Sequence, residues 1–233
     1  MDPNRKRWNE RHQKLNRALT SGDRDKAVEL FLDQHAMVHS SKVAKTGSWS
    51  YEDEILNGLT DEQIRTVVGE HSIAWILLHL ARIEDITMNM LVAGTEQLFT
   101  KDGWGKKMNV EITHSANKMT DASVEELSAT IDIKALRAYR VAVGKRTRGI
   151  VRKLKAEDFK KKVDPEHIQK VLEEGAVIPE AMEIINYWSK KTIAGLLLMP
   201  PTRHCILHLN EAERIKSVIA KRAKTDKAIS TTT

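Results

Sequence analysis

The segment from Gly69 to Leu91 constrains the fold more than any other stretch. Ile73, Ile76, Leu77, Leu80, Ile83, Thr87 and Leu91 recur at helical spacing, and Trp75, His79, Ile86 and Met90 form a second stripe beside them. Two adjacent apolar stripes at the 3.6-residue period predict a helix buried around most of its circumference, so other helices must cover it on several sides. Runs alternating Val, Ile and Thr between turn signals, the mark of half-buried strands, are missing, and Pro (5) and Gly (11) are too few to punctuate many short strands. The expected fold class is all-α.

A helix or helix pair is expected over about Lys6 to Ser41, interrupted at Ser21-Gly22-Asp23, where Ser21 or Asp23 is placed to cap a new start. Asp132 is placed to cap a helix reaching about Leu154, with Leu136, Tyr139, Val143, Ile150 and Leu154 on its inner face. Gly94 to Gly105 reads as a crossover loop, Asp121 to Ser128 as a short helix, and Pro165 and Pro179 as further helix starts. Pro200-Pro201 is expected to break the chain and release a final helix to about Ala223. The 233 residues, 41% hydrophobic, suffice for one sizeable core, and no repeat or low-complexity linker divides them. One domain is therefore expected over residues 1–223, followed by a polar, disordered tail at 224–233. Four long helices with long crossover connections and extra short helices predict a four-helix bundle that is not simply up-and-down.

Composition narrows the function. The longest apolar run, Ile193 to Met199, falls far short of the roughly 18 residues a membrane span needs. The N-terminus lacks an apolar segment and cleavage site, so a cytoplasmic protein is expected. Cys205 is the single cysteine, which excludes an internal disulfide and a cysteine-based zinc finger. Thirty-eight Lys and Arg against 32 Asp and Glu favour anionic partners. The basic stretch Lys145 to Lys162 has only Phe159 as a stacking aromatic and no reader motif, so a solvated helix face is expected and specific nucleic-acid binding is not.

The histidines carry the chemistry. His204 and His208, in RHCILHLNEAER, are spaced i, i+4 and share a helix face, where two imidazoles can ligate one metal ion. His35 and His39 have the same spacing, and setting separates the pairs. His204 follows two prolines at an expected helix start, where the macrodipole favours the neutral, ligating ring. His35 and His39 fall near a helix C-terminus, which favours imidazolium and points to a C-terminal cap or a solvated pair. A third ligand must come from a facing helix. His79 is preferred there, against the alternative of a core histidine bonded to a carbonyl, while His71, roughly 12 Å up the axis, is expected to be capping or exposed. Glu211, three residues past His208, is either a support or fourth ligand of such a site or a solvent-facing carboxylate. Arg82 is placed either to hold an anionic substrate group or to pair with Glu84 or Asp85. Cys205 points roughly 100° from the His204/His208 face and reads as core rather than nucleophile, and Tyr187 and Trp188 are either pocket lining or core. Three imidazoles leave a coordination position open, the arrangement of a catalytic site, and suit zinc or nickel, or iron.

Those residues carry a resemblance. HSIAWILLHLARIEDITMNMLV resembles the second-helix motif of the DinB-like (YfiT-like) metal-binding helical bundles, and TRHCILHLNEAERI resembles their last-helix H-x-x-x-H motif. With HSSKVAKTGSWSYEDEILNGLT, the resemblance spans about Leu30 to Ile219, and its core is Trp75, His79 and Glu84 joined to the late histidine pair. It implies a four-helix bundle in which His79, His204 and His208 hold a divalent metal, and it makes a homodimer plausible. Characterised relatives include thiol transferases using low-molecular-weight thiols such as bacillithiol or mycothiol, and a thiol-dependent maleylpyruvate isomerase. The resemblance thus implies a divalent-metal-dependent enzyme, a thiol-dependent S-transferase or a hydrolase-like one, acting on a small molecule. The alternative is a non-catalytic metal-binding stress or interaction protein.

Overall fold

The computed structural model describes residues 2–45, 47 and 49–230, with side chains through residue 225. Every regular element among them is helical, and only two isolated bridges, Val68 with His71 and Lys162 with Thr192, pair extended backbone. None of the described helices is long and apolar enough to cross a membrane.

Helix Pro3–Ser21 ends on Gly22, whose φ of 81° is the left-handed conformation that glycine adopts without a side-chain clash. Arg24–Met37 starts at once, with the Asp23 carboxylate accepting from the Lys26 N–H. The central helix runs Ile73–Asp85 under the Ser72 hydroxyl cap and continues as a π-wound turn, Ile86–Val92. All its residues from Ile73 to Leu91 are buried, as the two stripes predict. Ile133–Lys153, capped by Asp132 as expected, packs along it, and the C-terminal helix covers a second side. Pro3–Ser21 lies outside these, against Arg24–Met37 and Ile193–Leu198. The expected crossover loop contains two short helices, Leu98–Lys101 and Trp104–Met108, and Asp121–Thr130 follows.

Pro200 and Pro201 do not break the chain. Helical backbone runs from Ile193–Leu198 through a π-wound turn, Met199–His204, into Cys205–Ser230. Each proline removes an N–H donor, which ordinarily ends a helix. Here the Thr202 hydroxyl donates to the Leu197 carbonyl at 2.9 Å, replacing the bond that Pro201 cannot make. The wider turn absorbs the rest of the mismatch, and both prolines are buried. The same helix passes the expected end near Ala223 and reaches Ser230; the side chains of residues 226–230 and the whole of 231–233, within the expected tail, lie outside the described residues.

Gly144, on Ile133–Lys153, marks the closest helix approach. A Cβ there would lie 2.9 Å from His39 Cδ2 and 3.1 Å from both γ carbons of Val43. Gly144→Ala is therefore expected to destabilise the fold by about 1–3 kcal/mol through overpacking. Urea melts check this, and an unchanged midpoint would mean that the His39 ring moves aside freely.

Candidate metal centre

The last helix brings His204 and His208 onto one face, and the central helix presents His79 to them. Ring centroids lie 5.0 Å apart for His79–His204 and for His79–His208, and 4.7 Å apart for His204–His208. His79 Nε2 is 3.1 Å from His204 Nε2, and one nitrogen from each ring falls within 4.8 Å of the others. The histidine pair read from spacing and the His79 partner read from its setting thus converge.

Two of the three rings are held in place from behind. His79 Nδ1 donates to the Ser115 carbonyl at 2.8 Å, so in the neutral ring Nε2 carries the lone pair toward the cluster. Ser115 sits in a turn where Ala116 adopts φ 63°, a left-handed conformation uncommon outside glycine, and its N–H is anchored to the Ala176 carbonyl. His208 Nδ1 donates to Glu211 Oε2 at 2.9 Å, leaving its Nε2 toward the cluster. Trp75 lies sandwiched between His79, with centroids 4.9 Å apart, and His71, at 3.7 Å, both nearly parallel to it. His204 Nδ1 is buried without a partner. Paired lone pairs at short range and an orphaned ring nitrogen are a donor set that fits a cation.

The neutral state of these rings has a different cause from the one expected. His204 ends a π-wound turn inside a continuous helix rather than starting a new one, so no free helix N-terminus acts on it. Burial, followed by the neighbouring His79 and His208, pushes its pKa well down. His79 is likewise lowered to about 3, first by burial and then by His208. Both rings are neutral at pH 7 and ready to ligate.

Glu211 and His71 work together. Glu211 accepts from His208 through one oxygen and from His71 Nδ1, at 2.6 Å, through the other. Those two hydrogen bonds, His208's first, lower its pKa to about 2. Glu211 therefore supports His208 from behind, and His71, expected to cap or face solvent, is part-buried on Trp75 and linked to the cluster through this carboxylate. Glu211→Gln is expected to weaken metal affinity by roughly 10–100-fold, the cost of losing an outer partner of a ligating histidine. Competition with a chromogenic chelator measures it, and unchanged affinity would reduce Glu211 to a surface carboxylate.

Arg82 is one turn past His79 but does not open onto the cluster. It is fully buried, 3.6 Å from Asp85, and donates to Tyr139, Gln97 and the carbonyls of Thr113 and His114. The pairing alternative describes it, through Asp85 and not Glu84. Glu84 instead faces His35 and His39, which are buried and not a solvated pair; His39 Nδ1 bonds the His35 carbonyl in the last turn of its helix, as the C-terminal cap reading has it. Cys205 is buried, with burial pushing its thiol up to about 12, so it is core and inert as a nucleophile. Tyr187 and Trp188 do line a cavity of about 420 Å³, together with Ile83, Met199, Pro200 and His204.

Acid is expected to destabilise the metal-free protein. His35 and His204 are shifted down, and His39 and His79 to about 3, each first by burial, against an unfolded value of 6.5. Between those limits the unfolded chain binds protons that the folded chain refuses, so the stability present above pH 6.5 is lost as pH falls toward 3. Thermal melts of chelator-treated protein from pH 7.5 to 4 should fall steeply, and a flat profile would contradict neutral burial of these rings.

The fold and the cluster define a class: a helical bundle with a three-imidazole group of metal-ligand geometry beside an apolar cavity. The family model of the DinB superfamily matches residues 46–212, and the chain belongs to that superfamily. No curated protein matches it.

Proposed function

We propose that His79, His204 and His208 hold one divalent ion, zinc or nickel with iron as a third candidate, and that the chain is a metal-dependent enzyme transferring a group to or from a low-molecular-weight thiol. The observation that carries this reading is the convergence of three imidazoles at the wall of an apolar cavity, with His204 belonging to both. A divalent cation bound there supplies Lewis acidity, lowering the pKa of a thiol or water that coordinates it. The chain supplies the remainder. Ser115 and Glu211 fix the tautomers of His79 and His208, and Trp75 clamps the plane of His79. Ile83, Tyr187, Trp188, Met199 and Pro200 offer an apolar wall to the acceptor substrate and displace water from it. The partly exposed Glu211–His71 pair keeps the proton on His208 Nδ1 and so leaves its Nε2 free to ligate.

The test is turnover of metal-loaded protein with bacillithiol, mycothiol or a simple monothiol and an electrophilic apolar acceptor. Transfer that is abolished by His204→Ala and by chelation supports the reading. Bound metal that resists thiol ligation, with no turnover of any acceptor, would establish the non-catalytic alternative instead.

A further inference from the structure

A second histidine group lies on the far side of the central helix. The Glu84 carboxylate is fully buried between this helix and Arg24–Met37, with Oε1 2.9 Å from His35 Nε2 and Oε2 2.7 Å from His39 Nε2. The two rings stack with centroids 3.8 Å apart, and none of the three side chains has measurable exposure.

A proton count shows that something is missing from this group. His39 Nδ1 donates to the His35 carbonyl at 3.0 Å, which uses the single proton of a neutral ring. Its Nε2 then turns a lone pair toward a carboxylate oxygen at 2.7 Å, and two acceptors at that distance require a cation between them. The arrangement repeats that of His79, where the far nitrogen donates to a backbone carbonyl and orients the ring as ligating histidines are oriented. His35 Nδ1 is buried without any partner, so nothing else fixes where that ring's proton sits. Gly144 leaves the space that the His39 ring occupies.

We propose that His35, His39 and Glu84 form a second, solvent-excluded site for one divalent first-row cation, held by the two Nε2 atoms and the Glu84 carboxylate. Two imidazoles and a carboxylate suit zinc, iron or manganese. The site joins Arg24–Met37 to the central helix, and its burial assigns it to holding the bundle together rather than to turnover. His35 and His39 lie outside the matched residues 46–212, whereas Glu84 lies within them. The competing occupant is a proton, which makes His39 an imidazolium paired with Glu84. Against the proton stands the setting: Arg140, which donates to the Val38 carbonyl, and Arg148, which donates to the Leu32 carbonyl, already bring two cations to this helix and its end, and Arg140 is paired with Glu52.

Zinc titration of chelator-stripped full-length protein, read by equilibrium dialysis and elemental analysis, decides between them. Wild type should bind two equivalents, Glu84→Gln and His39→Gln one each, and the combination of Glu84→Gln with His208→Ala none. One equivalent in wild type, retained by Glu84→Gln and lost in His208→Ala, overturns the proposal and leaves a proton between His39 and Glu84. Loss of one equivalent in Glu84→Gln but none in His208→Ala supports it while defeating the three-histidine reading. Because Glu84 is fully buried and its substitution perturbs folding, wild-type crystals grown with zinc provide a second readout. An anomalous peak at the zinc edge between His39 Nε2 and Glu84 supports the site, and its absence in zinc-replete crystals overturns it.

Discussion

His79→Ala, His204→Ala and His208→Ala are each expected to abolish metal binding at the three-histidine cluster, with affinity falling by more than the roughly 100-fold that loss of an outer partner alone can cost. The large effect follows from the ligand count. Among the described residues the cluster has three imidazoles and no carboxylate among its ligand atoms, so one deletion removes a third of the protein donors. Glu211 cannot substitute, because His71 and His208 already engage both of its oxygens. His71 cannot either, since it is stacked on the opposite face of Trp75 from His79. Elemental analysis after chelator-free purification, beside the same measurement on His35→Ala, checks the expectation. Metal retained in full by all three variants would return these rings to packing roles.

Arg82→Met costs about 3–5 kcal/mol, the penalty for removing one partner of a buried ion pair. For a chain of this size that is a fall of about 6–20 °C in melting temperature. Methionine fills much of the volume but leaves Asp85 buried and negative, its oxygens accepting from Leu98 N, Phe99 N, Asn89 and Tyr139 with no cation nearby. It also frees the carbonyls of Thr113 and His114, which Arg82 ties down beside the Ser115 carbonyl that orients His79. Metal affinity should therefore fall together with stability. Arg82→Lys should rescue little, because one ammonium cannot replace a planar fork serving four acceptors and stacking 4.0 Å over Phe99. Calorimetry reads the first effect, and a melt within about 2 °C of wild type, at most about 1 kcal/mol at this size, would refute the network.

The helical class, the buried circumference of the central helix and the caps at Asp23 and Asp132 were all legible in residue order, because periodicity and capping act within a few positions. His204 and His208 were legible for the same reason, since an i, i+4 pair shares a face wherever the helix packs. His79 as their partner came from its apolar setting and from the family motif around Trp75. Other features needed distance in sequence. Thr202 rescuing the helix at Pro201 is local, yet the proline rule taken alone predicts a break, and only a buried, π-wound backbone shows why none occurs. Glu84 shares its helix with His79 but faces His35 and His39, 49 and 45 residues away, and Arg82 finds its carbonyl partners 31 and 32 residues on. Residue order was enough for the long helices and the faces they bury, since both follow from short-range spacing, but not for the continuity through Pro200–Pro201 or the short helices after Gly94. Which buried charges meet across helices, Glu84 with His35 and His39 and Arg140 with Glu52, came only from tertiary structure, because desolvation penalises an unpaired charge so heavily that such partners are set by where helices cross.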